Sequence, residues 1–190
     1  LDAQWTTLPA PSSIVIANVA GAGVGQRLRT FCERWQIAPR WAASARLQAG
    51  VSNCYDEPSQ LGVDRWAALI GARKFCSGAC VVVNAGTATT IDALGAQGDF
   101  IGGIIVAGFD LMHESLASNT ARLSAERGHF TPFPRATRDA ITSGAIQALC
   151  GAVERMREAM LAAGHQEPEL IFSGGAGELV ARHMGKPVRL

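Results

Sequence analysis

The tetrapeptide Gly62-Val63-Asp64-Arg65 opens a stretch with helical apolar spacing. An acid in a first helical turn is commonly there because the helix dipole stabilises it. Its chemical alternative is a general base aimed at a substrate hydroxyl. Neighbouring residues point away from different sides of a helix, so Asp64 could take a proton while Arg65 held an anion. Residues 81–90, Val-Val-Val-Asn-Ala-Gly-Thr-Ala-Thr-Thr, carry an apolar strand into a small-residue turn. Gly86 permits close backbone approach to a ligand, and Thr87 adds a hydroxyl and an N–H. A plain hairpin is the competing reading. Ser173-Gly174-Gly175-Ala176-Gly177 leaves one strand and enters a helix. Free N–H groups at such a point favour an anion, although a tight connection would look the same. Two turns of this kind point to a nucleotide cleft between them.

Other candidates carry less. Gly21-Ala22-Gly23-Val24-Gly25 lies between a strand and a helix, but Gln26 occupies the place where the dinucleotide fingerprint needs glycine. A strand-to-helix turn is the better reading. No G-x-x-x-x-G-K-[ST] run exists, which removes the P-loop class. His113, His129, His165 and His183 are scattered and receive no role. Cys76 and Cys80 have no second pair, so Cys32, Cys54, Cys76, Cys80 and Cys150 read as reduced thiols of a cytoplasmic protein.

These residues need strands and helices to place them. Apolar, β-branched runs predict strands over 13–19, 79–83, 87–94, 100–106 and 169–172. The three central ones form an antiparallel meander. Helices are expected over 26–35, 61–74, 137–163 and 178–184, with another beginning at Leu111. The longest carries the stripe Ile141, Ala145, Leu149, Ala152, Met156 and Met160. Polar and proline-rich stretches at 48–60 and 124–136 read as loops, and 41–47 is either strand or irregular. This order predicts an α/β protein with mixed sheets and a domain boundary near Gly78.

Composition narrows the partners. With 190 residues the chain can bury a sizeable core. The 17 Lys and Arg against 16 Asp and Glu leave a net charge of +1, and aromatics are 6%, so nucleic acid is not an expected partner. No uninterrupted apolar run approaches about 18 residues, so no membrane-spanning helix is expected. The chain opens at Leu1 without methionine or signal-peptide pattern, and its true start is expected to be missing.

Taken in order, the pieces resemble a known family. They are Tyr55; Leu61-Gly62-Val63-Asp64-Arg65-Trp66-Ala67-Ala68; Asn84-Ala85-Gly86-Thr87-Ala88-Thr89-Thr90-Ile91-Asp92; Gly102-Gly103-Ile104-Ile105-Val106-Ala107-Gly108; Leu116 with Thr120-Ala121-Arg122-Leu123; and Ser173-Gly174-Gly175-Ala176. From about residue 50 to 177 the chain resembles the type III pantothenate kinases, also called the Bvg accessory factor family. The resemblance implies the actin-like, sugar-kinase-type fold, with two ribonuclease-H-like domains, mixed sheets flanked by helices, and ATP in the cleft. Residues 1–78 would be the remainder of the N-terminal domain, without its first strand and phosphate loop, and 79–190 the C-terminal domain. A homodimer is implied too. The reaction would be ATP-dependent phosphorylation of pantothenate to 4'-phosphopantothenate, the first step of coenzyme A synthesis. Asp64 would accept the proton. Tyr55, Gly62, Val63, Asp64 and Arg65 would contact pantothenate, Arg65 at its carboxylate, with Thr137 as a further substrate contact. Gly86, Thr87, Gly174 and Gly175 would bind ATP, and Mg2+ would bridge the phosphates.

The family pattern is not followed everywhere. Nothing in residues 1–60 matches the family's D-x-G-N-T phosphate loop. Asn84 stands where the family has an Asp that binds K+ or NH4+, so a weak or absent cation site is expected. Ala136 replaces the Asn that precedes the substrate threonine. These departures sustain an alternative, a non-catalytic nucleotide-binding accessory protein of the same fold.

Overall fold

The computed structural model describes residues 9–119 and 126–190. Thr120-Ala121-Arg122-Leu123 lies outside the described residues.

A small βαβ unit comes first. Strands β1 (Val15–Ile16) and β2 (Arg40–Trp41) pair in parallel, joined by helix α1 (Ala22–Cys32) and a short 3-10 turn. The glycine run expected as a turn is therefore the start of the helix. Gly21 sits at φ 87, and the Gly25 N–H already donates to the Gly21 carbonyl at 3.1 Å. The Asn18 side chain holds the entry by accepting from the Ala20 N–H and donating to the Gly21 carbonyl. Glycine costs a helix only about 1 kcal/mol relative to alanine.

The main sheet has seven strands in the order β3-β4-β7-β6-β5-β8-β9. They are β3 (Leu47–Gln48), β4 (Val51–Asn53), β5 (Cys80–Ala85), β6 (Ala88–Leu94), β7 (Asp99–Ala107), β8 (Glu169–Ser173) and β9 (Val188–Arg189). The meander β5–β6–β7 is antiparallel as expected, while β8 joins β5 in parallel. The stretch 48–60, expected as loop, contributes β4 and closes a hairpin with β3. Ala49 at φ 50 and Gly50 at φ 78 make its two-residue turn, matching the twist of the strands. Because β4 pairs with β7, one sheet takes in strands from both sides of Gly78.

Two helices cover opposite faces of this sheet. Helix α2 (Val63–Phe75) buries Trp66, Leu69 and Ala72 against Val82, Leu94 and Phe100. Helix α3 (Phe109–Asn119) leads toward the other face. Helix α4 (Thr137–Ala162) lays Ala145, Ile146, Leu149 and Val153 there, against Val81, Val83, Ile91 and Ala93. Successive residues of β5 thus serve different cores, as the strand period requires. The expected stripe is rotated slightly: Ile146 and Val153 are buried, while Ala152 and Met156 are only partly so. A five-residue helix, α5 (Gly177–Ala181), follows β8. All five cysteines are free. Among the described residues no helix is long and apolar enough to cross a membrane.

Candidate active site

Asp64 lies half-buried in the first turn of α2. Gly62 precedes the helix without a capping side chain, and Asp64 supplies one instead: its Oδ1 accepts from the Arg65 N–H at 2.8 Å. A Cβ at Gly62 would stand 2.7 Å from that oxygen, so glycine is what lets the carboxylate fold back over the helix start. Asp64 forms no ion pair among the described residues.

Arg65 turns the other way, into the protein. Its side chain is almost wholly buried, and its partner Asp92 on β6 is fully so. Nε donates to the two Asp92 carboxylate oxygens at 3.2 and 3.3 Å, and Nη2 donates to Oδ1. Nη1 donates to the Tyr55 hydroxyl at 3.1 Å. The guanidinium lies over the Tyr55 and Phe100 rings, 5.8 and 5.7 Å from their centroids. The anion that Arg65 holds in this structure is thus a protein carboxylate. Burial works against the Arg65 charge, but the hydrogen bonds and charges of Asp92 and Tyr55 outweigh it and raise the group above its usual range. Burial pushes the Asp92 carboxyl up, opposed by Arg65 and reinforced by the charge of Asp64. Gly103, paired with Asp92 across the sheet, makes room for this arrangement. A Cβ there would overlap Asp92 Oδ1 and stand 2.7 Å from Arg65 Nη2.

The Tyr55 segment is held by backbone contacts. Arg46 donates to the carbonyls of Asn53, Tyr55 and Asp56. Buried Asn53 accepts from the Tyr55 N–H at 3.1 Å and donates to the Pro58 carbonyl at 3.2 Å. Tyr55 also lines a cavity of about 480 Å³ with Cys54, Asp56, Glu57 and Gln60.

The two glycine turns come together. Asn84 and Ser173 are register partners at the ends of β5 and β8. Gly174, at φ 88, lies so close to Ala85 that a Cβ would meet the Ala85 carbonyl oxygen at 2.5 Å. The Ala176 N–H donates to that same oxygen at 3.0 Å. Gly86 and Thr87 are the exposed tip of the β5–β6 hairpin, and Gly108 packs beneath them, its N–H donating to the Thr87 carbonyl at 2.9 Å. The helix that follows, α5, has only five residues, and its first N–H, that of Gly177, donates to the Gly174 carbonyl at 3.0 Å. Thr137 is exposed at the start of α4, the helix on the face opposite Asp64. The structure gathers Tyr55, Arg65 and Asp92 in one network, and Asn84, Gly86, Thr87, Gly174 and Gly175 along one rim.

Asp92 and Gly103 entered the sequence reading only as members of motifs, without a role, and Arg46 and Asn53 did not enter it. An acid inside a β-branched run was a visible signal for Asp92. The Gly102-Gly103 pair was visible but not its purpose, and nothing local marks Arg46 or Asn53.

A family model for type III pantothenate kinase matches residues 2–159. The chain belongs to the type III pantothenate kinase family. It is 53% identical over 177 residues to a type III pantothenate kinase from Azoarcus sp. (strain BH72), covering 93% of this chain and 66% of that protein. It is 44% identical over 192 residues to one from Nitrosospira multiformis, covering 100% of this chain and 72% of that protein. The chain therefore spans about two thirds to three quarters of the length of these type III pantothenate kinases. A crystal structure of a Baf family protein from Campylobacter jejuni shares the fold, with a TM-score of 0.63 at 22% identity, covering 95% of this chain and 76% of that one. The fold is the α/β arrangement of a mixed sheet flanked by helices that the resemblance implied.

Proposed function

We propose that the complete protein transfers the γ-phosphoryl group of ATP to the primary hydroxyl of pantothenate, giving 4'-phosphopantothenate and ADP. The carrying observation is the state of Asp64, in a chain whose family is a kinase family. A general base must be free of a competing cation, and Arg65 is turned into Asp92 rather than onto Asp64. The substrate oxygen forms a bond to the γ-phosphorus as the bond to the ADP oxygen breaks. Asp64 receives the hydroxyl proton and orients the nucleophile. Such transfer depends on alignment and charge more than on covalent help.

Pantothenate would meet Tyr55, Gly62, Val63 and Arg65, its carboxylate at Arg65. The rim of Gly86, Thr87, Gly174 and Gly175 would receive ATP by close backbone approach. Magnesium accompanies the phosphates as counter-charge. Among the described residues no three His, Cys, Asp or Glu are grouped to hold a metal, so no step is assigned to it. Asn84 offers a carbonyl oxygen without charge, which supports a weak K+ or NH4+ site. A cytoplasmic location belongs to the same proposal, whereas a division at residue 78 would cut the sheet in which β4 pairs with β7.

So does the homodimer. Strand β7 meets β4 only at Asp99 and Phe100. Beyond them Ile101, Ile104 and Ile105 are exposed along the edge, which fits cover by a second copy.

The test is coupled ADP release with the full-length protein, pantothenate, Mg2+ and K+ or NH4+. Asp64→Asn is expected to cut turnover by about 10²–10⁴ while pantothenate still binds. Undiminished turnover in that variant removes Asp64 from the mechanism.

A further inference from the structure

We propose that Asp92 is a positioning residue that sets the guanidinium of Arg65 for a substrate carboxylate; this rests on the kinase reading above. Arginine has five N–H donors in a rigid plane. Asp92 takes the Nε donor and one on Nη2, and the Tyr55 hydroxyl takes one on Nη1. One donor remains on each terminal nitrogen. Two bonds to Asp92 fix the plane of the group, and the Tyr55 and Phe100 rings fix its height. A long, mobile side chain thereby becomes a rigid pair of donors.

The same contact cancels the formal charge of Arg65. Recognition at this point then works by geometry, with the two remaining N–H groups, one on each terminal nitrogen, offered to carboxylate oxygens, rather than by attraction of any anion. The missing Cβ of Gly103 keeps the pair intact by leaving space for both Asp92 Oδ1 and Arg65 Nη2.

Two variants separate this role from a merely structural one. Asp92→Asn keeps the shape but loses the second acceptor for the fork. Gly103→Ala keeps both charges and displaces the pair by placing a methyl group against it, that group also standing 2.8 Å from the Ile91 carbonyl oxygen. Each is assayed in the full-length protein with pantothenate and with its neutral alcohol analogue, in which CH2OH replaces the carboxylate.

Both variants are expected to raise KM for pantothenate by about tenfold or more, the scale of a lost charged hydrogen bond. KM for ATP, kcat and the KM of the alcohol analogue should stay near wild type. Equal losses for the two compounds would make Asp92 structural and overturn the proposal. A lower KM for pantothenate in Asp92→Asn would overturn it differently, by showing that Asp92 competes with substrate for Arg65. If wild type shows no pantothenate-dependent turnover, the kinase reading fails and this assignment falls with it. If wild type turns over normally, only the assignment of Asp92 is at stake.

Discussion

Asp64 keeps its carboxylate out of any ion pair among the described residues because Arg65 turns inward to Asp92. The G-x-D-R tetrapeptide and its place at a helix start were legible in the sequence. The buried partner of Arg65 was not, because a pairing across 27 positions depends on how α2 docks on β6. Gly103 was illegible for a similar reason: its importance lies in what a Cβ would strike. Another residue gives a pH-dependent prediction. Burial would raise the Glu154 carboxyl, but hydrogen bonds from Arg157 at 2.8 Å and Lys186 at 3.2 Å outweigh it and lower the group below its ordinary value of 4.5. The folded state then binds this proton less readily than the unfolded state. The resulting stability is present above that ordinary value and fades as pH falls through it toward the folded value. Glu154→Gln should lower the melting temperature at about pH 7, and the gap to wild type should narrow below about pH 4. A gap that stays constant with pH would disconnect Glu154 from this linkage.

The helices α2 and α4 were legible as elements because each carries an apolar stripe at helical spacing. Their faces are set by packing, and α4 is turned enough to bury Ile146 and Val153. Leu149 lies at the centre of that contact, fully buried against the sheet. Leu149→Ala should cost about 2–5 kcal/mol of unfolding free energy, from lost transfer and the cavity left behind. Chemical denaturation measures this directly, and a loss below about 1 kcal/mol would show that the core collapses around the gap. The short elements were poorly legible. Strand β4 has three residues and carries no periodicity of its own, so pairing with β7 decides it. The helix expected over 178–184 shortens to α5 because its last turn tightens, the His183 and Met184 N–H groups donating to the Val180 and Ala181 carbonyls three residues back.

At the scale of the whole molecule, the sheet separates two sets of residues that the resemblance assigns to one substrate site. Asp64 starts the helix on one face, and Thr137 starts the helix on the other. In the proposed homodimer a second copy would bring a Thr137 to an Asp64, a reading that goes with the exposed isoleucines of β7. Asp64→Asn and Thr137→Ala proteins, each weak alone, should recover part of the turnover when unfolded and refolded together. Lack of recovery, with mixed dimers verified by mass, would place both residues in a site built by one chain. The sequence by itself determined the family, the meander and the long helices, and it pointed to Asp64 as the candidate base, since each is written in local pattern or in a contiguous motif. Only the tertiary structure decided which charges meet, which glycines are indispensable and which face each site residue occupies. Those depend on contacts between residues tens of positions apart, and on distances that a linear pattern does not contain.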